Sequence, residues 1–404
     1  MTTDTVSRAA APKGPYYTLT LLILVYACHF FDRSIVAVVQ ESVKHEFGLS
    51  DSALGAMAGF AYAMSYAAFG IPLGMLIDRV KSRIHLLAGL LAVWSFATAI
   101  CAAATSATQL VIARVFVGAA ESGGSPVSMA IISDIFPPQR RSTAIGLFFT
   151  GMALGSLLSY GVGAYVVAHY GWRAAFLLAG IPGLILAVFL VSLLKDPPRT
   201  KAPGAADEAT PVLEAARAVF GRPALRSLIA AVVLTAMMQA GFVIWIVSFY
   251  VRIHEVPLTT VGIVVAIAMG VMGGLSSGAG GWIVDRFAGT DRRKTANMVS
   301  FVTLATVPLG LVIVLIPNAT VSLGLMVMYP LLLSFYLGPG HAAILSLAPT
   351  RGRGQVIGML QVMSNLVGYG VGPYLVGALS DAFGLRYALA AVVMIQAVVA
   401  VLFF

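Results

Sequence analysis

Charged residues are scarce: Asp, Glu, Lys and Arg make up 10% of the 404 residues. Soluble domains carry about 25%, because their surfaces face water. A water-facing surface is therefore excluded for most of this chain. Cysteine is nearly absent. Cys28 and Cys101 both lie in apolar runs, which excludes a disulfide framework and a thiolate metal site. There is no His–Glu–x–x–His pattern, serine nucleophile elbow or cysteine–histidine set, so an enzyme is not expected. A Gly-x-x-x-x-Gly-Lys loop is missing too, which argues against ATP as a driver. No metal site and no cofactor are expected. The first 15 residues lack the apolar stretch of a cleaved signal, so the apolar run from Tyr16 is expected to be retained.

Apolar sequence is abundant, with 59% of residues hydrophobic. Runs of about 20 apolar residues recur along the chain, the length a helix needs to cross the hydrocarbon core. The 41 glycines suit close helix contact in lipid. A membrane β-barrel would instead show short alternating segments. The reading is an all-α membrane protein with spans at 16–40, 53–77, 84–104, 108–133, 143–168, 172–194, 225–250, 258–284, 295–316, 319–347, 354–380 and 384–404.

The basic residues orient these spans. With the N-terminus inside, inner loops and tail hold 19 of the 25 Lys and Arg, and the outer loops hold only Lys44, Arg173, Arg252 and Arg386. This positive-inside asymmetry places both termini in the cytoplasm. The net charge of +9 is then a consequence of topology, and nucleic acid is not an expected partner. A polar connector over 195–224, with Pro197, Pro198, Pro203 and Pro211, divides the chain into six-helix bundles at 1–194 and 225–404. Residues 212–222 read either as a short helix on the inner membrane surface or as a plain tether.

The two halves repeat. Gly55, Gly74, Asp78 and Arg79 match Gly262, Gly281, Asp285 and Arg286 at an offset of 207, and Pro126 and Ser133 match Pro339 and Ser346 at 213. Tyr160–Gly–Val–Gly163 matches Tyr369–Gly–Val–Gly372 at 209, and Gly171 and Arg173 match Gly384 and Arg386 at 213. Two parallel six-helix repeats are one known transporter architecture.

Away from the span ends, four full charges fall within the spans: Asp32, Arg33, Arg114 and Glu121. Charge at bilayer depth is costly, so each is a functional candidate. Arg114 and Glu121 are seven residues apart and share a helix face, whereas the neighbours Asp32 and Arg33 point about 100° apart. Arg114 is expected to face Asp32, with Glu121 near the midplane lining a cavity. Two acids and two bases balance when all are ionised, so a proton on Glu121 would disturb that balance and bias the conformation. Sodium would want several oxygen ligands near two arginines, which favours the proton as coupling ion. The competing reading is a static cluster pinning spans 1 and 4.

The second half carries no such charges. His341 follows Gly338–Pro–Gly340, and at an offset of 213 Glu121 corresponds to Ser334. Gln239, Trp245, Tyr329, Tyr336, Gln361, Asn365 and Tyr369 offer uncharged polar and aromatic groups for a substrate, or for contacts between helices. His29, Trp245, Tyr336, His341, Gln361, Asn365 and Tyr369 are the substrate-cavity candidates. Ser122–Gly–Gly–Ser–Pro126 and Gly338–Pro–Gly340 are expected to soften spans 4 and 10.

Gly74–Met–Leu–Ile–Asp78–Arg79 resembles the signature loop of the major facilitator superfamily, although Lys81 stands where that loop usually has glycine. Arg114–Val–Phe–Val–Gly118 resembles its fourth-helix motif. His29–Phe–Phe–Asp32–Arg33, Ala120–Glu121–Ser–Gly–Gly–Ser–Pro126, Ile132–Ser–Asp–Ile–Phe–Pro137, Gly171–Trp–Arg–Ala–Ala–Phe176 and Asp196–Pro–Pro–Arg199 look like the Spinster-like branch. The resemblance implies two six-helix bundles and proton-coupled transport by alternating access, with Asp32 and Glu121 in the coupling. It also implies a lipid-like amphipathic substrate of the lysolipid type, while related branches carry organic anions or drugs. Gly74, Asp78, Arg79 and Arg83, with the repeat partners Asp285 and Arg286, would latch the cytoplasmic face. The expected setting is a multi-pass monomer in a plasma membrane, the inner membrane of a bacterium, with membrane lipid, protons and a small amphipathic or anionic substrate as partners. A channel finds no support, since no filter-like loop or ring of charge is present.

Overall fold

The computed structural model describes residues 14–197, 219, 221–289, 291–348 and 353–404, and the proposed surface helix at 212–222 lies largely outside them. The first-half helices are α1 (Pro15–Phe47), α2 (Asp51–Ala58), α3 (Phe60–Arg79), α4 (Arg83–Cys101), α5 (Ala107–Glu121), α6 (Gly124–Ile135), α7 (Pro138–Leu157) and α8 (Ala164–Leu193). The second half has α9 (Pro223–Ile253), α10 (Leu258–Ala266), α11 (Gly273–Phe287), α12 (Arg292–Leu315), α13 (Ala319–Leu333), α14 (Leu337–Leu347), α15 (Arg353–Met363), α16 (Gly372–Phe383), α17 (Leu385–Val393) and α18 (Ile395–Phe403). No strand occurs among the described residues.

Among the described residues, ten continuous stretches are long and apolar enough to span a bilayer. One of them, Gln139–Leu193, reverses at Gly171, where φ is 81°, and so crosses twice. The pair α2–α3 supplies a further crossing, which gives the expected six plus six. Gly384, the repeat partner of Gly171, has φ 85° and makes the matching reversal between α16 and α17. Both turns need a left-handed backbone that glycine adopts without steric cost. That requirement explains why these glycines recur 213 residues apart.

Helix α1 overruns its expected end by nearly two turns. Glu41 and Lys44 suggested a loop, but both are paired at that end, and the helix stops only at Gly48, a left-handed cap with φ 62°. Two spans are broken near their middles. The breaks fall at Ser122–Gly123 between α5 and α6, and at Ser334–Tyr336 between α13 and α14. Glu121 is thus the last residue of α5.

Three π-helical turns, Leu158–Gly163, Ile267–Met272 and Ser364–Val371, interrupt spans 5, 8 and 11. The first and third contain the repeated Tyr–Gly–Val sequences. They lie on the seams between the bundles. A Cβ on Gly262 would sit 2.3 Å from the Tyr160 carbonyl oxygen, and one on its repeat partner Gly55 would sit 2.3 Å from that of Pro373. Each glycine therefore lets a kinked helix of the other bundle approach backbone to backbone. Apolar side chains fill both bundles, with Trp94, Phe148 and Leu91 at the core of the first and Phe242, Tyr329 and Leu389 in the second.

Candidate functional site

Three of the four expected intramembrane charges, Asp32, Arg114 and Glu121, converge where α1, α3, α4 and α5 meet. Arg114 Nη1 donates to Asp32 Oδ1 at 2.8 Å, and Thr98 donates its hydroxyl to Asp32 Oδ2 at 2.5 Å. Asp32 is 1% exposed and Arg114 3%. A buried pair survives only when both partners and their hydrogen bonds are present, and Thr98 supplies the extra donor. The pairing also follows from helix direction, since α1 and the α5 span run antiparallel and bring position 32 level with position 114.

Glu121 is fully buried. It does not face the open cavity, as the sequence suggested, but sits behind Tyr62, whose hydroxyl donates to its Oε2 at 2.6 Å. The Tyr62 ring also lies 5.1 Å from the Arg33 guanidinium and 5.4 Å from that of Arg114. Tyr62 thereby touches three of the four charges.

Arg33 points the other way, as its 100° offset from Asp32 requires, and is only partly buried. Its guanidinium lies 3.7 Å over the Tyr369 ring, and its Nη2 donates to Asn365 Oδ1 at 3.4 Å. No carboxylate lies within ion-pair distance of it among the described residues. It lines a cavity of about 290 Å³ between the bundles, along with Phe30, Tyr160, Tyr336, Gln361 and Tyr369. Gln239 and His341 also face this space, and His341 Nδ1 is 2.7 Å from the Leu337 carbonyl oxygen. Asn365 is buried at the edge and donates to the Gln361 carbonyl. Trp245 is buried away from the cavity and donates to the Pro373 carbonyl at 2.9 Å. His29 is 4% exposed and lies on the Glu121 side of α1, not in the cavity lining.

The expected gate residues lie at the end where α1 begins and α18 finishes. Arg83 pairs with Asp134, and Asp196 caps α4 by accepting from the Ile84 amide at 3.1 Å, both within the first bundle. Arg79, Asp285 and Arg286 are exposed there. The Asp78 side chain lies outside the described residues. A Cβ on Gly74 would meet nothing within 4 Å.

A second charged cluster at the opposite end was not anticipated. Arg252 of α9 donates to Glu41 Oε2 at 2.6 Å and to Asp51 Oδ2 at 2.8 Å, and so crosses from one bundle to the other. Asp51 also accepts from Lys44 at 2.5 Å and from Ser380 at 2.6 Å. Asp381 of α16 returns the link by accepting from the Asp51 and Ser52 amides, each at 2.9 Å, at the N-terminus of α2. An anion there complements the helix dipole. Desolvation raises the Asp51 carboxyl, but the bonds from Arg252, Lys44 and Ser380 outweigh it and hold it below the ordinary carboxylate value. Among the described residues, the ion pairs that join the bundles are those of Arg252 with Glu41 and Asp51.

Tyr62, Thr98, Asp51 and Glu41 all escaped sequence reading. The first two are neutral, and a search for intramembrane charge passes over them. The others stand at span ends, where a carboxylate reads as an ordinary loop residue. The only available signal was Asp51 and Arg252 as opposite charges at the same membrane face.

Known proteins share this fold. The sequence profile of the Major Facilitator Superfamily matches residues 22–368. A crystal structure of a bacterial homologue of the human lysosomal transporter Spinster, inward-facing and unoccupied, superposes with a TM-score of 0.84 at 23% identity over 96% of each chain. An MFS-type efflux pump of Mycolicibacterium smegmatis is 27% identical over 92% of this chain and 85% of its own. Protein spinster of Drosophila melanogaster is 31% identical over 48% of this chain and 31% of its own. The chain is a membrane transporter protein of the major facilitator superfamily.

Proposed function

We propose that this protein is a proton-coupled carrier that works by alternating access and moves an amphipathic, lipid-like substrate bearing one anionic group. The observation that carries the reading is the contrast between the two arginines. Arg114 is neutralised by Asp32, whereas Arg33 reaches the cavity held by an amide oxygen and an aromatic face. A guanidinium so placed keeps its planar fork for a carboxylate or phosphate. The lining also offers an apolar body the side chains of Phe30, Met152, Val232, Val243 and Leu360, beside hydroxyl and amide groups such as those of Tyr160 and Gln361.

Charge balance supports the coupling. Ionised Asp32 and Glu121 offset Arg33 and Arg114, and a proton on Glu121 leaves one positive charge over. An anion on Arg33 restores neutrality, so proton and anion are best carried together. Tyr62 supplies the link, since it hydrogen-bonds Glu121 and lies beside Arg33. The distal ion cluster closes one face. By the positive-inside rule the termini lie in the cytoplasm, and the closed face is the outer one.

Reconstituted vesicles test this. Uptake of a labelled single-chain anionic lipid should rise with an inward proton gradient and collapse with a protonophore. Gradient-independent uptake would remove the proton, and preference for a sugar acid over the lipid would favour the small organic-anion reading.

A further inference from the structure

The mechanism so far leaves the buried His29 unused. His29 lies one turn before Arg33 on α1, its ring stacked on Tyr26 with centroids 5.7 Å apart and edge-on to Trp94 at 6.3 Å. Its Nδ1 is 3.6 Å from Glu121 Oε2. Both side chains are almost fully buried. Among the described residues, neither His29 Nδ1 nor Glu121 Oε1 has a hydrogen-bond partner, and the Trp94 indole nitrogen beside the histidine ring has none either. Buried polar atoms left unpaired are costly and call for an explanation.

An ionised carboxylate accepts, and so does the bare nitrogen of a neutral imidazole. With the imidazole proton on Nε2, Glu121 and His29 Nδ1 face each other without a donor between them, and one added proton joins them. We propose that the proton taken up by Glu121 is held in a Glu121–His29 pair, with His29 as the positioning residue that accepts from the protonated carboxyl. This rests on the proton-coupled reading above.

The proton balance is simple. One proton joins a Glu121 oxygen, the O–H turns to His29 Nδ1, and the imidazole keeps its own proton on Nε2. No other bond to hydrogen breaks. The groups around the histidine favour this assignment. Tyr26, Asp32 and Arg33 lie on its own helix, Arg114 and Glu121 face it from α5, and Tyr62 and Tyr66 lie on α3. An imidazolium would add a third cation beside Arg33 and Arg114, so the ring serves as a neutral acceptor. Once protonated, Glu121 is a weaker acceptor for Tyr62, which loosens the ring contact to Arg33.

Infrared titration of the purified protein in lipid reads this directly. The protonated-carboxyl band assigned to Glu121 by its loss in Glu121→Gln is followed against pH. In His29→Phe, which keeps an aromatic ring at that position, the midpoint should fall by about one pH unit, a tenfold loss of proton affinity. His29→Gln restores an acceptor and should recover most of the shift. An unmoved or raised midpoint in His29→Phe overturns the proposal. Independently of any histidine variant, the His29 Nδ1 resonance of the wild-type protein should move with the carboxyl midpoint and stay fixed in Glu121→Gln. Separate midpoints overturn the pair as well. These measurements need no transport, so pH-independent uptake beside an intact spectroscopic link would sink the functional reading alone.

Discussion

The Tyr62 hydroxyl donates to Glu121 Oε2 at 2.6 Å, and the two residues, 59 positions apart in sequence, come from α3 and α5. The same ring lies beside Arg33 on the cavity side. A single side chain thus stands between the buried acid and the accessible base. Information about protonation has a short physical path to the substrate site, one hydrogen bond and one cation–ring contact long.

Replacement of Glu121 by Gln should separate binding from coupling. The amide keeps the shape of the side chain and an acceptor for Tyr62, but it takes up no proton. Uptake driven by a pH gradient is expected to vanish, whereas exchange of labelled for unlabelled substrate across the membrane should persist. Retained gradient-driven uptake in proteoliposomes would place the coupling elsewhere.

Arg33 should govern affinity. Arg33→Lys keeps the charge but loses the planar fork and the stacking on Tyr369, which predicts about tenfold weaker binding. Arg33→Ala removes a charged hydrogen-bonding group worth about 1.5–3 kcal/mol, roughly ten- to hundredfold or slightly more in affinity. Calorimetric titration with an anionic single-chain lipid measures both. A neutral analogue should show no difference among the three proteins.

The distal cluster should hold the structure closed at that face. Arg252→Gln leaves Glu41 and Asp51 facing each other without their shared cation, and is expected to shift the equilibrium toward the distal-open form by about 1–2 kcal/mol. Distances between spin labels on the ends of α2 and α16 report the shift. The sign of the pH effect follows from Asp51. Its carboxyl is held below the ordinary value, so its contribution is complete above that value, near 3.8, and is lost as the pH falls through the lower bound-state value. Acid should therefore open the distal face, and Asp51→Asn should abolish that part of the response.

Glu255 is the one non-glycine residue with positive φ among the described residues, at 53°. Its repeat partner, 207 positions earlier, is Gly48, with φ 62°. The left-handed backbone costs an L-residue about 1–2 kcal/mol, and the greater freedom of glycine in the unfolded chain offsets about 0.4–1 kcal/mol. Glu255→Gly is accordingly expected to stabilise the protein by about 0.5 kcal/mol, seen as a small rise in thermal unfolding temperature. A fall would mean that the exposed Glu255 side chain has a role of its own.

The fold was readable because its causes are local. Span length comes from bilayer thickness, and the turns at Gly171 and Gly384 come from a backbone conformation that favours glycine. The repeat offsets carry the same requirement twice. Part of the candidate site was readable for a similar reason: full charges are so costly in lipid that Asp32, Arg33, Arg114 and Glu121 stand out wherever they fall. Their 100° and two-turn spacings even indicated which way some of them point.

What the sequence by itself determined, then, was an all-helical chain crossing the membrane repeatedly and a short roster of buried charges. The pairing of Arg114 with Asp32 was already indicated by their places on antiparallel spans, whereas tertiary structure alone decided that Arg33 is left to the cavity without a carboxylate. It also decided that His29 and Trp245 lie outside the cavity lining, and that Arg252 links Glu41 to Asp51 across the bundles. The reason is physical. Burial cost depends on residue type and is written in each position, whereas pairing depends on distances set by how separate helices pack. Neutral donors such as Tyr62 and Thr98 acquire their significance only from the carboxylate that packing brings within reach.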